Sequence, residues 1–127
     1  MKKILATLAS AALLAVVMPA VPVTAGDDDV IRRGSCSGRS TWKLKLSPEN
    51  GRIEVEYEVD QNRNGQRWRV RLFHNGERFF AGVRTTQEPS GSFEVHRVVN
   101  DAAGTDTIRA RAKNPATDEL CRGRASL

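Results

Sequence analysis

The most constraining feature of the sequence is a period-two alternation of apolar and charged residues that runs from residue 42 almost to the C-terminus. Lysines separate the apolar residues of a first run (42–46), glutamates those of a second (53–59) and arginines those of a third (67–72). Successive side chains of a strand point to opposite faces, so the pattern predicts strands with one buried and one solvated face. No stretch carries an apolar repeat of 3.6 residues, so no helix longer than a turn is expected.

Turn-forming residues divide this pattern into short segments. Asn75-Gly76 is the strongest hairpin signal, because both residues tolerate a positive φ. Further turns are expected at Ser47–Gly51, Glu88–Gly91, Asn100–Gly104 and Asn114-Pro115. Seven strands in about 100 residues predict an all-β fold, an antiparallel β-sandwich of immunoglobulin-like or fibronectin-type-III-like architecture. A small barrel is the alternative.

The N-terminal segment has the pattern of a secretory signal peptide. Lys2 and Lys3 precede an apolar run from Ile4 to Val17. Pro19 and Pro22 then end this run, and small residues follow up to Ala25. This predicts a signal peptide at residues 1–25, cleaved after Ala25, and an exported protein that is not integral to a membrane after cleavage. An acidic, mobile leader is expected at residues 26–35, and a single domain at 36–127.

The only two cysteines are Cys36 and Cys121. An even number of cysteines in an oxidising compartment predicts a disulfide. The bond would join the start of the domain to its last segment.

The charges of neighbouring strands are expected to compensate one another. A meander would place Leu46 opposite Ile53, Lys45 opposite Glu54 and Lys43 opposite Glu56, and a following hairpin would pair Glu58 with Arg69 and Glu56 with Arg71. Without Lys2 and Lys3 the 20 basic residues fall to 18, against 15 acidic ones. A charged docking face is the alternative, and nucleic acid is not expected as a partner. The candidate residues of the docking face are Arg67, Arg69, Arg71, Arg109, Arg111 and Lys113.

The loop from Asp60 to Gln66 fits the start of a calcium-binding motif. Asp60, Asn62 and Asn64 would supply oxygen ligands at alternate positions, and Gly65 holds the sixth position. The twelfth position is Arg71, where the motif requires a glutamate. A polar hairpin loop explains the same residues, and no metal or other cofactor is expected.

Sugar stacking would require exposed aromatic side chains. Trp42, Tyr57 and Trp68 lie in the inward phase of their strands and are expected in the core. One residue of Phe79-Phe80 must point outward, and Phe80 is the candidate for an exposed contact. The length of the mature chain, the expected β-sandwich and the expected disulfide between its two ends resemble those of secreted cellulose-binding modules.

No motif for catalysis is present. His74 and His96 are expected as isolated surface histidines, and no serine has the context of a G-x-S-x-G elbow. The chain is therefore not expected to be an enzyme.

The segment WKLKLSPENGRIEVEYEVDQNRNG (42–65) resembles small secreted actinobacterial proteins of unknown function. This resemblance implies export and small size, and no activity or site residue. The resemblance to immunoglobulin-like sandwiches implies architecture alone. Together with the residue patterns described above, the two resemblances favour a monomeric, non-enzymatic module that binds an extracellular protein or glycan. A carbohydrate-binding module is the alternative, and calcium binding at residues 60–66 is third.

Overall fold

The computed structural model describes residues 28–127. These residues form eight strands, and no helix is present among them. The strands are β1 (Val30–Ser35), β2 (Thr41–Glu49), β3 (Arg52–Asp60), β4 (Arg67–His74), β5 (Glu77–Thr85), β6 (Ser92–Asn100), β7 (Thr107–Lys113) and β8 (Leu120–Ser126). The predicted all-β fold is confirmed, with one strand more than expected.

The strands form two antiparallel sheets of four strands each. The first sheet has the order β1-β2-β3-β6 and the second the order β5-β4-β7-β8. The inward side chains of both sheets make one core, in which Tyr57 and Trp68 are fully buried. The Trp68 ring packs at 6.2 Å from that of Phe93, which belongs to the opposite sheet. Alternation therefore predicted the buried face of β2, β3, β4 and β6 correctly. It failed for β5, where the register places Phe80 opposite the buried Leu72 and leaves Val83 exposed.

The extra strand corrects the expectation of a mobile leader at residues 26–35. Residues 30–35 pair with β2 along their whole length, from Val30 opposite Leu46 to Ser35 opposite Thr41. The Lys45 ammonium also lies 3.6 Å from the Asp29 carboxylate. The ordered domain therefore includes residues that the sequence pattern assigned to the leader, whereas residues 1–25 lie outside the described part of the chain.

The β2–β3 hairpin has a different register from the one expected. Leu46 lies opposite Val55, Lys45 opposite Glu56 and Lys43 opposite Glu58, because only Asn50-Gly51 forms the turn. Pro48 was assigned to the turn, but it lies within β2. It lies beyond the end of β1, where β2 pairs with β3 alone, a position at which a strand tolerates proline.

The expected pairing of the glutamate strand with the arginine strand is wrong. β3 pairs with β2 and β6, whereas β4 lies in the other sheet and pairs with β5 and β7. Glu58 thus lies opposite Glu94 instead of Arg69, and Glu56 opposite His96 instead of Arg71. The arginines of β4 have no acidic strand beside them.

The predicted disulfide between Cys36 and Cys121 is present and connects residues 85 positions apart. It joins the β1–β2 connection to β8 and therefore links the two sheets. The Tyr57 hydroxyl donates a hydrogen bond of 3.2 Å to the Cys121 carbonyl, and burial raises the pKa of Tyr57 well above its usual range. Across residues 28–127, no helix has the length and hydrophobicity needed to cross a membrane.

Candidate functional site

The outer face of the second sheet carries the largest concentration of uncompensated charge in the described residues. Along β4, β7 and β8, every second side chain points to solvent, and most of these side chains are basic. None of the three strands contains an aspartate or a glutamate. The eight exposed cations, named here the basic face, are Arg67, Arg69, Arg71, Arg109, Arg111, Lys113, Arg122 and Arg124.

The register places like charges directly opposite each other on the basic face. Arg71 lies opposite Arg111, which in turn lies opposite Arg122, so that three arginines form one row across three strands. Arg109 faces Arg124 in the next row, and Arg69 faces Lys113 in the row on the other side. Like charges in directly opposite positions destabilise a sheet. The arrangement is therefore one that the fold itself does not require.

Few carboxylates neutralise this face. Within residues 28–127, the only ion pair of a basic-face residue joins Lys113 to Asp118 at 3.7 Å, and both side chains are well exposed. No arginine of the basic face has a carboxylate partner within ion-pair distance in that part of the chain. Their N–H donors are therefore available to an anion from solution.

All six candidate residues, five arginines and Lys113, thus lie on one surface, and the strands that carry them contain no acidic residue. The sequence pattern identified these six residues but predicted acidic residues beside them, and it did not identify Arg122 and Arg124. The absence of acidic residues from all of β4, β7 and β8 was the signal that could have revealed the face.

Phe80 does not form the exposed contact that was expected. A bulge between Leu72 and Phe73 changes the register of β4 with β5, and both Phe79 and Phe80 are partly buried against the core. The Phe80 ring also contacts the guanidinium groups of Arg84, at 4.9 Å, and Arg97, at 4.6 Å. Among the described residues, the large exposed hydrophobics are Ile31, Val83 and Val98, none of them aromatic. The row of exposed rings that sugar stacking requires is absent from residues 28–127.

The loop at residues 60–66 uses its polar atoms to connect the two sheets. The Asp60 carboxylate accepts a hydrogen bond of 2.8 Å from the Asn62 N–H, and the Trp68 indole donates to Gln61 at 2.9 Å. The loop packs so closely on Gly91 that a Cβ there would lie 2.2 Å from the Arg63 nitrogen. These contacts describe a structural connection and give no support to calcium ligation by Asp60, Asn62 and Asn64.

A different group of side chains has the composition of a metal site. Glu54, Glu56 and His96 on the outer face of the first sheet have one ligand atom each within 4.8 Å of one another. The imidazole of His96 lies 3.9 Å from the Glu54 carboxylate, and Lys45 faces Glu56 from the other side. All three ligands are at least partly exposed, and a neighbouring ammonium opposes the binding of a cation.

His74 is not the isolated surface histidine that was expected. Its Nε2 lies 2.5 Å from a carboxylate oxygen of Asp106, which is almost fully buried and also accepts a hydrogen bond from the Ala102 N–H. Burial opposes ionisation of Asp106, but the hydrogen bonds from Ala102, His74 and Asp101 outweigh it and keep the pKa of Asp106 below its usual value. The hydrogen bond to Asp106 in turn raises the pKa of Asp101. This cluster fixes the β6–β7 connection between the sheets.

Comparison with known proteins adds no functional assignment: no family model matches the chain, and no curated protein matches it either. The basic face therefore remains the feature from which a function is argued.

Proposed function

We propose that this protein is an exported binding module whose basic face docks onto an anionic extracellular glycopolymer. The observation that carries the proposal is the row Arg71, Arg111 and Arg122, in which three like charges oppose one another with no carboxylate beside them. Opposed like charges cost stability, so their presence favours a partner that supplies the missing negative charge.

The regularity of the face favours a polymer. Basic residues recur at every second position of β4, β7 and β8, which spaces them about 7 Å apart along each strand and about 5 Å across strands. A protein interface is usually built around an apolar core, whereas the outward positions of these three strands hold no large exposed hydrophobic residue. A repeating array of cations fits a chain with repeating anions better than the irregular surface of a protein.

The predicted export, which rests on residues 1–25, favours an extracellular glycan over a nucleic acid. Proteins that bind single-stranded nucleic acid combine basic grooves with exposed aromatic side chains for base stacking. The basic face contains no fully exposed aromatic side chain, because its aromatic neighbours, Phe73 and Trp42, are both partly buried. Electrostatic contact alone is enough for a polyanion whose repeating unit is a charged sugar.

We also propose that the sandwich is of the immunoglobulin-like class. In support, β2, β3 and β6 occupy the positions of strands A, B and E, and β8, β7 and β4 those of G, F and C. Trp68 on β4 takes the place of the buried tryptophan of strand C. The disulfide differs, since it joins the β1–β2 connection to β8 instead of joining the two sheets through strands B and F. This class has many functions and selects none.

The test compares matched neutral variants in a binding titration with dextran sulfate. Arg71→Gln/Arg111→Gln removes two charges from the basic face, and Lys43→Gln/Lys45→Gln removes two from the opposite face. We expect the first variant to weaken binding at least tenfold and the second less than twofold. For the wild-type chain, the logarithm of the affinity should fall steeply and linearly with the logarithm of the salt concentration, as counterion release requires. Equal losses in both variants, or stronger binding to duplex DNA or to anionic vesicles than to the glycan, would overturn the proposal.

A further inference from the structure

An open depression on the basic face is lined by four arginines. It has a volume of about 660 Å³, and Arg109, Arg111, Arg122 and Arg124 line it together with Phe73 and others. The register pairs Arg109 with Arg124 and Arg111 with Arg122. The four side chains therefore start from the corners of a rectangle of about 5 by 7 Å on the surface of the sheet.

The centre of this rectangle is open because the residues there point inward. Ala110 and Gly123 face each other between the two arginine pairs, and both are buried. Below the sheet, the Trp42 ring occupies the space under Gly123, where an added Cβ would lie 3.0 Å from the ring. The floor of the depression is thus the backbone of β7 and β8, and the Trp42 side chain below it also lines the depression.

The number of donors in the depression selects the type of anion. A carboxylate has two oxygens in one plane, and one or two guanidinium groups satisfy it. Four arginines line this depression, and none has a carboxylate partner within residues 28–127. A sulfate ester or phosphate monoester presents three terminal oxygens, and a phosphate that bridges two units presents two, in tetrahedral directions, so that such a group can accept hydrogen bonds from several arginines at once.

We propose that the depression is a subsite for a tetrahedral oxyanion, a phosphate or sulfate ester group of the polymer. The inference rests on the proposed function and adds to it the chemical class of the ligand. Arg71, which lies opposite Arg111, extends the row beyond the depression toward Arg69 and Arg67. The remaining cations then contact neighbouring charges of the same polymer without selecting their type.

The test uses dextran sulfate, carboxymethyl dextran and long-chain polyphosphate as probes. The two dextrans share a backbone and differ in the charged group, and polyphosphate separates phosphate from sulfate recognition. Arg109→Gln/Arg124→Gln removes one side of the rectangle. Arg67→Gln/Arg69→Gln removes the same charge from the basic face outside the depression and serves as the control. Thermal unfolding of both variants confirms that these exposed substitutions leave the chain folded.

We expect wild type to prefer dextran sulfate or polyphosphate to carboxymethyl dextran by at least tenfold. Arg109→Gln/Arg124→Gln should abolish this preference, and Arg67→Gln/Arg69→Gln should keep it while lowering all affinities. Arg109→Lys/Arg124→Lys, which keeps the charge and loses the forked donors, should also reduce the preference. If the two double glutamine variants changed the preference equally, or if wild type bound the two dextrans equally, the subsite would be overturned and the proposed function would stand. Absence of binding to every polymer would overturn both.

Discussion

On the outer face of the first sheet, Lys43 lies opposite Glu58 and Lys45 opposite Glu56, whereas on the basic face Arg71 lies opposite Arg111 and Arg111 opposite Arg122. The first face, named here the mixed face, comprises the outward residues of β1, β2, β3 and β6. It also contains like pairs, Arg33 with Lys43 and Glu58 with Glu94, but they occur in one row that runs from positive to negative. Both faces belong to the same kind of four-stranded antiparallel sheet.

The difference between the two faces distinguishes a placement of charges that stabilises the fold from one that the fold only tolerates. The mixed face shows that outward charges of this chain can be placed in complementary pairs, which stabilise a sheet and specify its register. The basic face has the same alternation and the same burial of its inward side chains, but no complementary pair between its strands. The excess of charge is therefore a property of the surface that the sandwich carries without needing it.

The largest expected effect concerns the covalent link between the sheets, which holds β8 of the basic face. Replacing both cysteines by alanine (Cys36→Ala/Cys121→Ala) should lower the free energy of unfolding by about 4 kcal/mol, because the disulfide closes a long loop in the unfolded chain. Chemical denaturation measures the loss. The bond also restrains local opening of β8, which is an edge strand, so hydrogen exchange should show that the β8 amides lose more protection than those of β3. A loss below about 1 kcal/mol, or equal deprotection of both strands, would contradict the idea that β8 depends on this link.

A second prediction concerns the carboxylate that is buried beside the basic strands. The pKa of Asp106 lies below its usual value of 3.8 in the folded chain, so its ionised form stabilises the fold above that pH. This contribution is lost as the pH falls through the lower, folded-state value. Asp106→Asn should cost about 1.5 to 3 kcal/mol at neutral pH, as loss of charge-assisted hydrogen bonds does.

Denaturation at several pH values tests this assignment. The difference between wild type and Asp106→Asn should narrow as the pH falls below 4. Asp118→Asn is the control, since that carboxylate is exposed beside Lys113 and its loss should change stability very little. A difference that does not vary with pH would show that the ionisation of Asp106 contributes nothing.

These two faces also show which features of the fold could be predicted from the sequence. Alternation predicted which side of most strands is buried, because a period of two fixes the face of every residue, and it identified Tyr57 and Trp68 as core. It failed for β5, whose bulged register with β4 turns Phe80 toward the core. Asn75-Gly76 correctly marked a hairpin, since both residues have a positive φ. Alternation says nothing about which strand lies beside which, and the pairing of Glu58 with Arg69 was wrong for that reason. Opposite charges in consecutive strands suggested that these strands pair with each other, but the chain crosses to the other sheet between β3 and β4.

Only part of the candidate site could be predicted from the sequence, because alternation does not show which strands are neighbours. Arg69, Arg71, Arg109 and Arg111 stood out in the sequence, but their significance depends on β7 lying between β4 and β8. Three distant segments must come together before the arginines form one surface. Likewise, His74 and Asp106 are separated by 32 positions, and only the β6–β7 connection brings them into contact.

The third prediction reverses one charge on each face. Arg111→Glu places an acid between Arg71 and Arg122 and should stabilise the chain by up to about 1 kcal/mol. Glu56→Lys places a base between Lys45 and His96 and should destabilise it by a similar amount. For a domain of this size, about 1 kcal/mol corresponds to a change of roughly 4–8 °C in the melting temperature. Arg111→Glu should weaken binding to dextran sulfate at the same time, so that stability and binding change in opposite directions. Destabilisation by Arg111→Glu would mean that the arginine row is a structural element.

The smallest expected effect is the response of each face to salt. At about 10 mM sodium chloride the screening length is about 30 Å, so the arginines of the basic face repel one another fully, whereas at about 1 M it falls to about 3 Å and the repulsion is screened. Wild type should therefore gain a few tenths of a kcal/mol in stability between these concentrations, and Arg111→Glu, in which attraction replaces repulsion, should gain less or lose stability. Chloride is the suitable anion, because sulfate would also bind to the proposed subsite and raise the melting temperature by mass action. Thermal melts of both proteins across the salt series provide the measurement. If the gain in Arg111→Glu equals or exceeds that of wild type, repulsion on the basic face does not limit stability, and the two faces differ in composition without differing in energy.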